Sequence, residues 1–386
     1  MPAAYPIDPG GARRRPIAYR TATLVPRHLA VGRWSLTAPL SAVPLEMLEG
    51  GWRLAFTGGP HPLGGYVDHH EVSIGRDRSG GRVPLVTLAG PDDMTVLAER
   101  LAYPDPTSVA TDQDAQAYDV RTGQASTVVL GYIAYNAGHL AITDRITPSF
   151  DTDIADPAAG GAVTAKARFD PLLDLIAPLA DRAGLAVTVT STTSGQRTLG
   201  IAPIIDRTGT ARFSLALGNL ASLRYERRAP TATYVVAGGR GEEDARAFRA
   251  ANNAAAASAW RRVEAFTDAR AASAGDGGAE LQAAADKRLA ETGPVELVDL
   301  VPRDTDRLTY GVGYRLGDRV LGEVGFGTGL KVSAVVREVE ITVDRSPGQP
   351  LVRVVPRAAT VDIRGRLQDD RAFRSLANRI GQLERR

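Results

Sequence analysis

The sequence of 386 residues contains no cysteine, so disulfide bonds, thiolate metal sites and cysteine nucleophiles are excluded. Lysine is almost as scarce, since it occurs only at Lys166, Lys287 and Lys331 and arginine supplies the remaining positive charge. We attribute this bias to a GC-rich genome, although arginine also favours bidentate contacts with anions. Aromatic residues make up only 6% of the chain, which does not favour an aromatic platform for sugars.

Long apolar runs are also missing. No run approaches the roughly 18 residues of a membrane-spanning helix, and the N-terminal MPAAYPIDPGGARRRP lacks the apolar segment of a signal peptide. We therefore expect neither a membrane-spanning segment nor a secretion signal. The formal net charge of +2 provides no electrostatic attraction for nucleic acid or for a membrane surface, so we expect no sequence-specific nucleic-acid binding.

The length and the patterning predict a globular chain with several domains. We expect an α+β class that is predominantly β, with two barrel-like domains, an inserted α+β domain and a C-terminal helix. The predicted boundaries are 1–20 for an extended N-terminal arm, 21–162 for the first barrel domain with helices, 163–228 for the inserted domain, 229–360 for the second barrel domain and 361–386 for the C-terminal helix. Because the arm is rich in Pro, Gly and Arg, we expect it to be ordered only against another subunit.

A series of short strands punctuated by glycine extends from Tyr310 to Pro356 and is the clearest architectural signal. Apolar residues recur there at two-residue spacing with one shift of phase, which predicts a strand with one buried face. The apolar set is Val332, Ala334, Val336, Val339, Ile341 and Val343, and the opposite face carries Arg337, Glu338, Glu340 and Thr342. Gly317-Asp318 is a two-residue hairpin signal between the segments YRL and VL. Five more strands are predicted between Thr21 and Leu88.

Helices are predicted at five places. A short helix opens at Pro91 and ends before Pro104, with Met94, Leu97, Ala98 and Leu101 on one face, and a second covers about Ser126 to Asn136. Asp170 is the predicted N-cap of the third helix, with Pro171 at its first helical position and a wide apolar stripe in LLDLIAPLADRAG. Two further helices are predicted in EEDARAFRAANNAAAASAW, which follows the strand TATYVVAGG, and in AELQAAADKRLAETG.

Signals for catalysis or metal binding are weak. The cluster His69-His70-Glu71 lacks the i, i+4 spacing of a zinc helix, and adjacent residues of a strand point to opposite faces. The glycines after TATYVVAGG match no phosphate-binding motif and are followed by acids that would repel an anion. Paired carboxylates, which a glycosidase requires, occur at Asp92-Asp93, at Asp151 and Asp153, and at Asp304 and Asp306. We expect no catalytic residue, no cofactor-binding residue, no metal ligand and no cofactor.

The C-terminal segment from Asp369 to Arg386 has a helical pattern. Its apolar residues Phe373, Leu376, Ile380 and Leu383 fall at the a, d, a and d positions of two heptads, and they are the predicted oligomerisation residues. Two heptads are fewer than a secure coiled coil requires. The alternative, that this helix packs on its own domain, stays open.

Several segments in order carry a family resemblance: VGRWSLTAPL, LAGPDDMTVLAERLAYPDP, YDVRTGQASTVVLGYI, ARFDPLLDLIAPLADRAGLAV, FSLALGNLASLRYERRAPTATYVVAGGRGE, WRRVEAFTDAR, and YRLGDRV with VVREVEITV. Together they resemble the minor tail proteins of long-tailed actinobacterial phages, a family similar to the baseplate hub or tail-tip proteins. The resemblance covers Thr21 to Val343 and the C-terminal helix, and its motifs are structural rather than catalytic.

The resemblance implies a structural virion protein at the distal end of the phage tail. It implies a homotrimeric hub in which two barrel-like domains per chain alternate around a ring, with the inserted domain as decoration. The implied partners are the distal tail or tail tube ring proteins, the tape-measure protein, and receptor-binding or tip proteins. Two alternatives stay open, a tail-associated cell-wall hydrolase and a carbohydrate-binding or receptor-binding module.

Overall fold

The computed structural model describes residues 1–76, 81–192, 195–272, 278–325, 329–345 and 351–359. Its contacts divide the chain into two compact units. The first unit combines Met1–Leu223 with Asp299–Arg386, and the second is Arg224–Val298. Of the described residues, 44% lie in strands and 18% in helices, which confirms the prediction of a predominantly β chain with few helices.

The described residues contain the following strands: β1 (Ala3–Ile7), β2 (Thr21–Val25), β3 (Arg33–Pro39), β4 (Arg53–Thr57), β5 (Leu63–Tyr66), β6 (His69–Arg76), β7 (Arg82–Pro91), β8 (Leu101–Ala102), β9 (Asp119–Gln124), β10 (Phe150–Asp151), β11 (Ala162–Ala167), β12 (Asp170–Pro171), β13 (Leu185–Ser191), β14 (Arg197–Pro203), β15 (Arg212–Ser214), β16 (Leu220–Arg228), β17 (Tyr234–Gly238), β18 (Phe248–Asn252), β19 (Glu264–Asp268), β20 (Val295–Pro302), β21 (Arg319–Val324), β22 (Leu330–Asp344) and β23 (Leu351–Ala359). The α-helices are α1 (Thr95–Ala98), α2 (Ala125–Asn136), α3 (Leu172–Arg182), α4 (Ala254–Ala259) and α5 (Ala279–Glu291). Short 3-10 turns lie at Leu40–Ala42, Leu45–Glu49, Thr143–Arg145 and Glu243–Ala245.

The largest sheet has the strand order β16-β20-β23-β22-β2-β3-β7-β6, with β21 paired to β22 and β15 paired to β21. At its centre β2 and β22 pair antiparallel, from Thr21 opposite Asp344 to Leu24 opposite Ile341. The pairing of β2 with β22 therefore divides this order into two halves of four strands each. Within the described residues the end strands β16 and β6 do not pair with each other, so no closed barrel forms there.

The central strand β22 has the buried face that its sequence predicts. All six predicted apolar residues are buried, and the predicted shift of phase is a β-bulge between Val336 and Glu338. Arg337, which we expected on the opposite face, is buried at this bulge and its Nη2 donates a hydrogen bond to Oδ1 of Asp181 at 2.6 Å. The bulge therefore ties the sheet to helix α3.

The helices α2 and α3 form the main core of the first unit with the strands beside them. Val129, Tyr132 and Ile133 of α2 are buried with Leu173 and Ile176 of α3. The spacing of these apolar residues places them on one side of each helix. The predicted second and third helices are therefore confirmed, including the apolar stripe of the third.

The second unit is a three-stranded sheet with one helix packed on it. Strand β17 pairs antiparallel with β18 and parallel with β19, and α5 covers one face of the sheet. Ala237 and Ala251 of the strands are buried against Leu281 and Ala285 of α5. The opposite face of this sheet is not covered by α5.

Two expectations for the first unit are wrong. Strand β1 pairs with β4 of the same chain, and Ile17 and Tyr19 are buried, so this part of the N-terminal arm is ordered without a partner. The turn at Gly317 exists, with φ at 86°, but it does not join a hairpin. The carboxylate of Asp318 accepts a hydrogen bond from the backbone N–H of Arg315, and β21 instead pairs with β22 and β15.

Three helix predictions also need correction. The segment after TATYVVAGG is not one helix, because residues 248–252 pair with β17 as strand β18 before the short α4 begins. Helix α1 covers only four residues, and Leu101 lies in β8. Asp170 does not cap α3, since it lies in β12 and its carboxylate accepts from the backbone N–H of Arg168. The helix predicted in AELQAAADKRLAETG is confirmed as α5.

The predicted C-terminal helix, with its oligomerisation residues Phe373, Leu376, Ile380 and Leu383, lies outside the described residues. None of the helices in the described part of the chain combines the length and the apolar composition that crossing a membrane would take.

Candidate functional site

The histidine cluster lies on the edge strand β6. His69, His70 and Glu71 are all exposed, and successive residues of the strand belong to opposite faces of the sheet. Among the described residues, no group of three or more His, Asp or Glu side chains has the geometry to hold a metal ion. The cluster therefore behaves as three solvated side chains of a strand.

Asp93, one of the paired carboxylates, belongs to a buried hydrogen-bond network. Arg53 donates from Nη2 to both carboxylate oxygens of Asp93, at 2.7 and 2.8 Å, and to Oγ of Ser191 at 2.7 Å. Its Nη1 donates to the backbone oxygen of Gly195 at 2.9 Å. The Ser191 hydroxyl donates to Asp93 as well. These hydrogen bonds of the Arg53 guanidinium connect β4 to the β13–β14 hairpin and stabilise their packing. The Asp93 carboxylate is occupied by these donors and is therefore a poor candidate for a catalytic base.

Asp92 lies beside a small cavity of about 70 Å3 that is also lined by His28 and His61. Burial raises the pKa of Asp92 to about 7, although backbone hydrogen bonds at Gly32 and Met94 oppose the shift. Burial also lowers the pKa of His28 to about 3 and that of His61 to about 4. Because the pKa values of these three side chains are shifted in the folded chain, the free energy of unfolding depends on pH.

The other predicted acid pairs stabilise turns. Asp304 accepts hydrogen bonds from the backbone N–H of Tyr310 at 3.0 Å and from the hydroxyl of Tyr314 at 2.9 Å. Asp151 accepts a hydrogen bond from the backbone N–H of Asp153 at 3.1 Å. Carboxylates that satisfy local donors in this way are typical of structural turns.

An open cleft of about 720 Å3 lies next to β15. Its polar groups pair with one another: Arg212 forms an ion pair with Glu323 at 2.7 Å, and the Asn219 side chain bonds to the backbone of Arg212 and Ser214. The amide of Asn219 thereby occupies the hydrogen-bonding edge of β15, as a neighbouring strand would. The polar side chains of the cleft therefore mainly stabilise the fold around β15.

The β6–β7 hairpin is the best candidate for a functional surface. Strand β6 has eight residues and is the last strand of the large sheet. Val72 and Ile74 lie opposite Val86 and Pro84 of β7, on the face that Leu88 and Val86 bury in the core. Nevertheless Val72 is 49% exposed and Ile74 is 72% exposed. Val72 and Ile74 therefore lie on the core face of the sheet, but no described part of the chain covers them.

The sequence alone does not reveal this surface. The segment YVDHHEVSIG is one of the five strands predicted between Thr21 and Leu88, but an alternating pattern looks the same whether the apolar face is covered by the chain itself or is left open. The apolar alternation beside two histidines and a glutamate was the only available signal. Deciding between the two cases requires the strand order, which places β6 at an edge.

Comparison with known proteins identifies the family. The family described as Siphovirus ReqiPepy6 Gp37-like protein matches residues 7–354. Since this match covers most of the chain, the protein belongs to that family of siphovirus proteins. No curated protein sequence matches the chain.

Solved structures to which the chain is similar include three tail proteins. The 43 kDa tail protein of prophage MuSo2 from Shewanella oneidensis is 14% identical, with 93% of this chain and 98% of that chain covered and a TM-score of 0.49. A tail protein from Neisseria meningitidis MC58 is 12% identical, with 93% and 96% covered and a TM-score of 0.49. The prophage tail protein gp18 from Listeria monocytogenes EGD-e is 9% identical, with 92% and 94% covered and a TM-score of 0.49.

Proposed function

We propose that this chain is a structural protein of the tail tip of a long-tailed actinobacterial phage. In this proposal it forms a homotrimeric baseplate hub at the distal end of the tail and joins the distal tail or tube ring to receptor-binding or tip proteins. The tape-measure protein would pass through its centre. Membership in a siphovirus family and the resemblance of the sequence segments to minor tail proteins support this role.

The exposed edge strand β6 is the observation that carries the proposal. A strand that ends a sheet presents unpaired backbone N–H and C=O groups, and proteins usually shorten, charge or cover such an edge. Here the edge strand is eight residues long and carries Val72 and Ile74 uncovered on the core face. Contiguous apolar side chains of this kind mark interaction surfaces. A second copy of the chain would cover them and extend the sheet.

The proposal assigns the two sides of the large sheet to the two barrel-like domains. The four strands β2, β3, β7 and β6 lie on one side of the central junction, and β22, β23, β20 and β16 lie on the other. In the proposed hub, each side acts as one of the two barrel-like domains of a chain, so a trimer presents six similar elements. The domain boundaries 21–162, 163–228 and 229–360 stay predictions within this proposal.

Native mass spectrometry of the purified full chain tests the assembly. The proposal predicts a species with the mass of three chains at micromolar concentration. A strict monomer at every concentration, with no binding to a purified distal tail ring protein, would contradict it. The seam of Phe373, Leu376, Ile380 and Leu383 is a second proposed contact, and Leu376→Glu with Ile380→Lys should lower the trimer fraction if that seam self-associates.

A hydrolase is a weaker proposal. In the predicted pair Asp92-Asp93 both carboxylates are buried, and Asp93 is already paired with Arg53. Hydrolysis of a glycosidic bond requires two carboxyl groups that face the substrate. Zymography on peptidoglycan should therefore show no clearing by the purified chain.

A further inference from the structure

The second unit has a sheet face that is not covered by its helix. Strands β18, β17 and β19 bury Val235, Ala237 and Ala251 on the side of α5. Apart from the buried Gly238, the residues of the opposite face are exposed or half-buried, and we call it the aromatic face. By register it consists of three rows: Phe248, Gly238 and Asp268; Ala250, Val236 and Phe266; Asn252, Tyr234 and Glu264.

Two phenylalanine rings flank an arginine in the aromatic face. Phe248 is 49% exposed and Phe266 is 53% exposed. The guanidinium carbon of Arg246 lies 5.9 Å from the centroid of the Phe248 ring and 5.3 Å from that of Phe266. Arg246 is held in place because Nη2 donates to Oδ1 of Asp268 at 2.9 Å and Nε donates to the backbone oxygen of Gly239 at 3.1 Å. The guanidinium and the two rings therefore form one ordered cluster.

Gly238 provides the space for this cluster. A Cβ atom at Gly238 would lie 2.8 Å from Nη2 of Arg246 and 2.7 Å from Cζ of Phe266. Both contacts are tighter than van der Waals distance and involve the ends of side chains. The absence of a side chain at this position therefore lets the guanidinium and the ring approach the strand.

A second arginine repeats the arrangement at the other end of the face. The guanidinium carbon of Arg262 lies 4.1 Å from the centroid of the Tyr234 ring, and its Nε donates to Oε1 of Glu264 at 2.7 Å. Each arginine of the aromatic face is therefore paired with a carboxylate of β19. Asp268 is also paired with Arg270, whose Nε lies 3.4 Å from Oδ2, so each of these arginines has a carboxylate partner. The carboxylate side chains stay 51% exposed at Asp268 and 63% exposed at Glu264.

The size and the charge of the aromatic face restrict what it can bind. Strands of five residues span about 17 Å, and three strands span about 10 Å across, so the face measures about 170 Å2. A stable protein interface needs about 800 Å2 on each partner, which this face alone does not supply. Nucleic acid is attracted by uncompensated Lys and Arg, whereas both arginines here are paired with acids. A short, uncharged ligand with apolar faces and hydroxyl groups fits both limits.

We propose that the aromatic face of the second unit binds an uncharged saccharide. The rings of Phe248 and Phe266 would cover the apolar C–H face of a pyranose, and burial of that surface would favour binding. The exposed carboxylates of Asp268 and Glu264 would accept hydrogen bonds from hydroxyl groups, and the remaining guanidinium N–H groups of Arg262 would donate to them. This site stands independently of the tail role, because only residues of the second unit form it.

Isothermal titration calorimetry of the full chain tests this proposal with defined probes. The probes are the neutral hexasaccharides cellohexaose, maltohexaose and N-acetylchitohexaose, with a ten-residue oligothymidylate as the charged alternative. The proposal predicts that at least one hexasaccharide binds and that the oligothymidylate does not. Lack of binding by all three hexasaccharides, or binding of the oligothymidylate alone, overturns it.

Three variants locate the binding. Phe248→Ala with Phe266→Ala should weaken binding of the hexasaccharide at least about tenfold, because the stacking surface is lost. Gly238→Ala should weaken it too, since the new methyl group displaces Arg246 and Phe266 while both rings remain in the sequence. Phe169→Ala, a matched change at a phenylalanine that is 41% exposed in the first unit, should leave affinity unchanged. Affinities equal to wild type in both aromatic-face variants, with unchanged circular dichroism, would overturn the assignment.

Discussion

Arg337 and Asp181 form an ion pair that joins the bulge of β22 to helix α3, with 2.6 Å between Nη2 and Oδ1. The arginine side chain is only 4% exposed, whereas that of the aspartate is 37% exposed. Nε of Arg337 also donates to the backbone oxygen of Ala359, at 3.4 Å. The aspartate is therefore the charge partner of a buried cation at the centre of the large sheet.

Removal of this carboxylate should destabilise the fold. Asp181→Ala leaves the Arg337 guanidinium buried without its counter-charge, so we expect a loss of about 1–3 kcal/mol in the free energy of unfolding. Urea denaturation followed by circular dichroism measures it. Arg182→Ala is the matched control on the same helix and should change the stability by less than about 0.5 kcal/mol. Equal effects of the two substitutions would contradict this role of Asp181.

The buried network around Arg53 should be more sensitive. Asp93→Ala removes the carboxylate that accepts two hydrogen bonds from Nη2 of Arg53, and we expect a loss of about 3–5 kcal/mol. Ser191→Ala removes one hydroxyl and should cost about 1 kcal/mol. Because both side chains share one arginine, the double variant should lose less than the sum of the single losses. Strict additivity in a double-mutant cycle would show that the network is not coupled.

Asp92 should make the fold less stable as pH rises. Its pKa increases from 3.8 to about 7 on folding, chiefly because of burial, so the folded chain holds the proton more tightly than the unfolded chain does. The free energy of unfolding therefore falls as pH rises through this window, by up to about 4 kcal/mol. Asp92→Asn abolishes that loss, so its stability relative to wild type should increase between pH 4 and pH 8 in urea denaturation. A difference that is independent of pH would reject this explanation.

His28 and His61 act in the opposite direction. Burial lowers their pKa values from 6.5 to about 3 and about 4, so the unfolded chain takes up these protons first as pH falls. The free energy of unfolding should decrease below pH 6.5 as a result. His28→Asn should reduce this acid sensitivity, whereas substitution of the exposed His70 by Asn should not. Identical acid profiles for the two variants would contradict the assignment.

The edge strand β6 should control the oligomeric state. Val72→Lys with Ile74→Lys places two charges on the apolar surface, so the trimer fraction in mass photometry should fall at least about tenfold. Both side chains are exposed in the single chain, and circular dichroism should therefore stay unchanged. Val312→Lys is the control, because Val312 is 81% exposed but lies in a turn outside the sheet. Unchanged trimers in the β6 variant would reject this contact.

Local sequence patterns predicted those strands and helices whose structure depends on residues close together in the sequence. The alternation in β22 indicated both its buried face and the bulge after Val336, because side-chain direction alternates along any strand. The alanine-rich segment near Ala250 was assigned to a helix by its composition, but pairing with β17 makes it a strand. Tertiary pairing overrides helix propensity in such segments.

The aromatic face and the exposed surface of β6 depend on contacts between residues that are far apart in the sequence, and local sequence patterns do not predict such contacts. Tyr234, Phe248 and Phe266 are far apart in the sequence and share a face only because of the register of three strands. A low aromatic content therefore did not indicate a cluster of rings. Likewise, the exposure of Val72 and Ile74 follows from the position of β6 at the end of the strand order.

Immunogold electron microscopy of intact virions, with antibodies raised against the purified chain, tests the proposed place of this protein most directly. The tail-tip role predicts gold particles at the distal end of the tail, on the side away from the capsid. Labelling along the capsid or along the whole tube, or virions that contain none of the chain by mass spectrometry, would contradict the proposal.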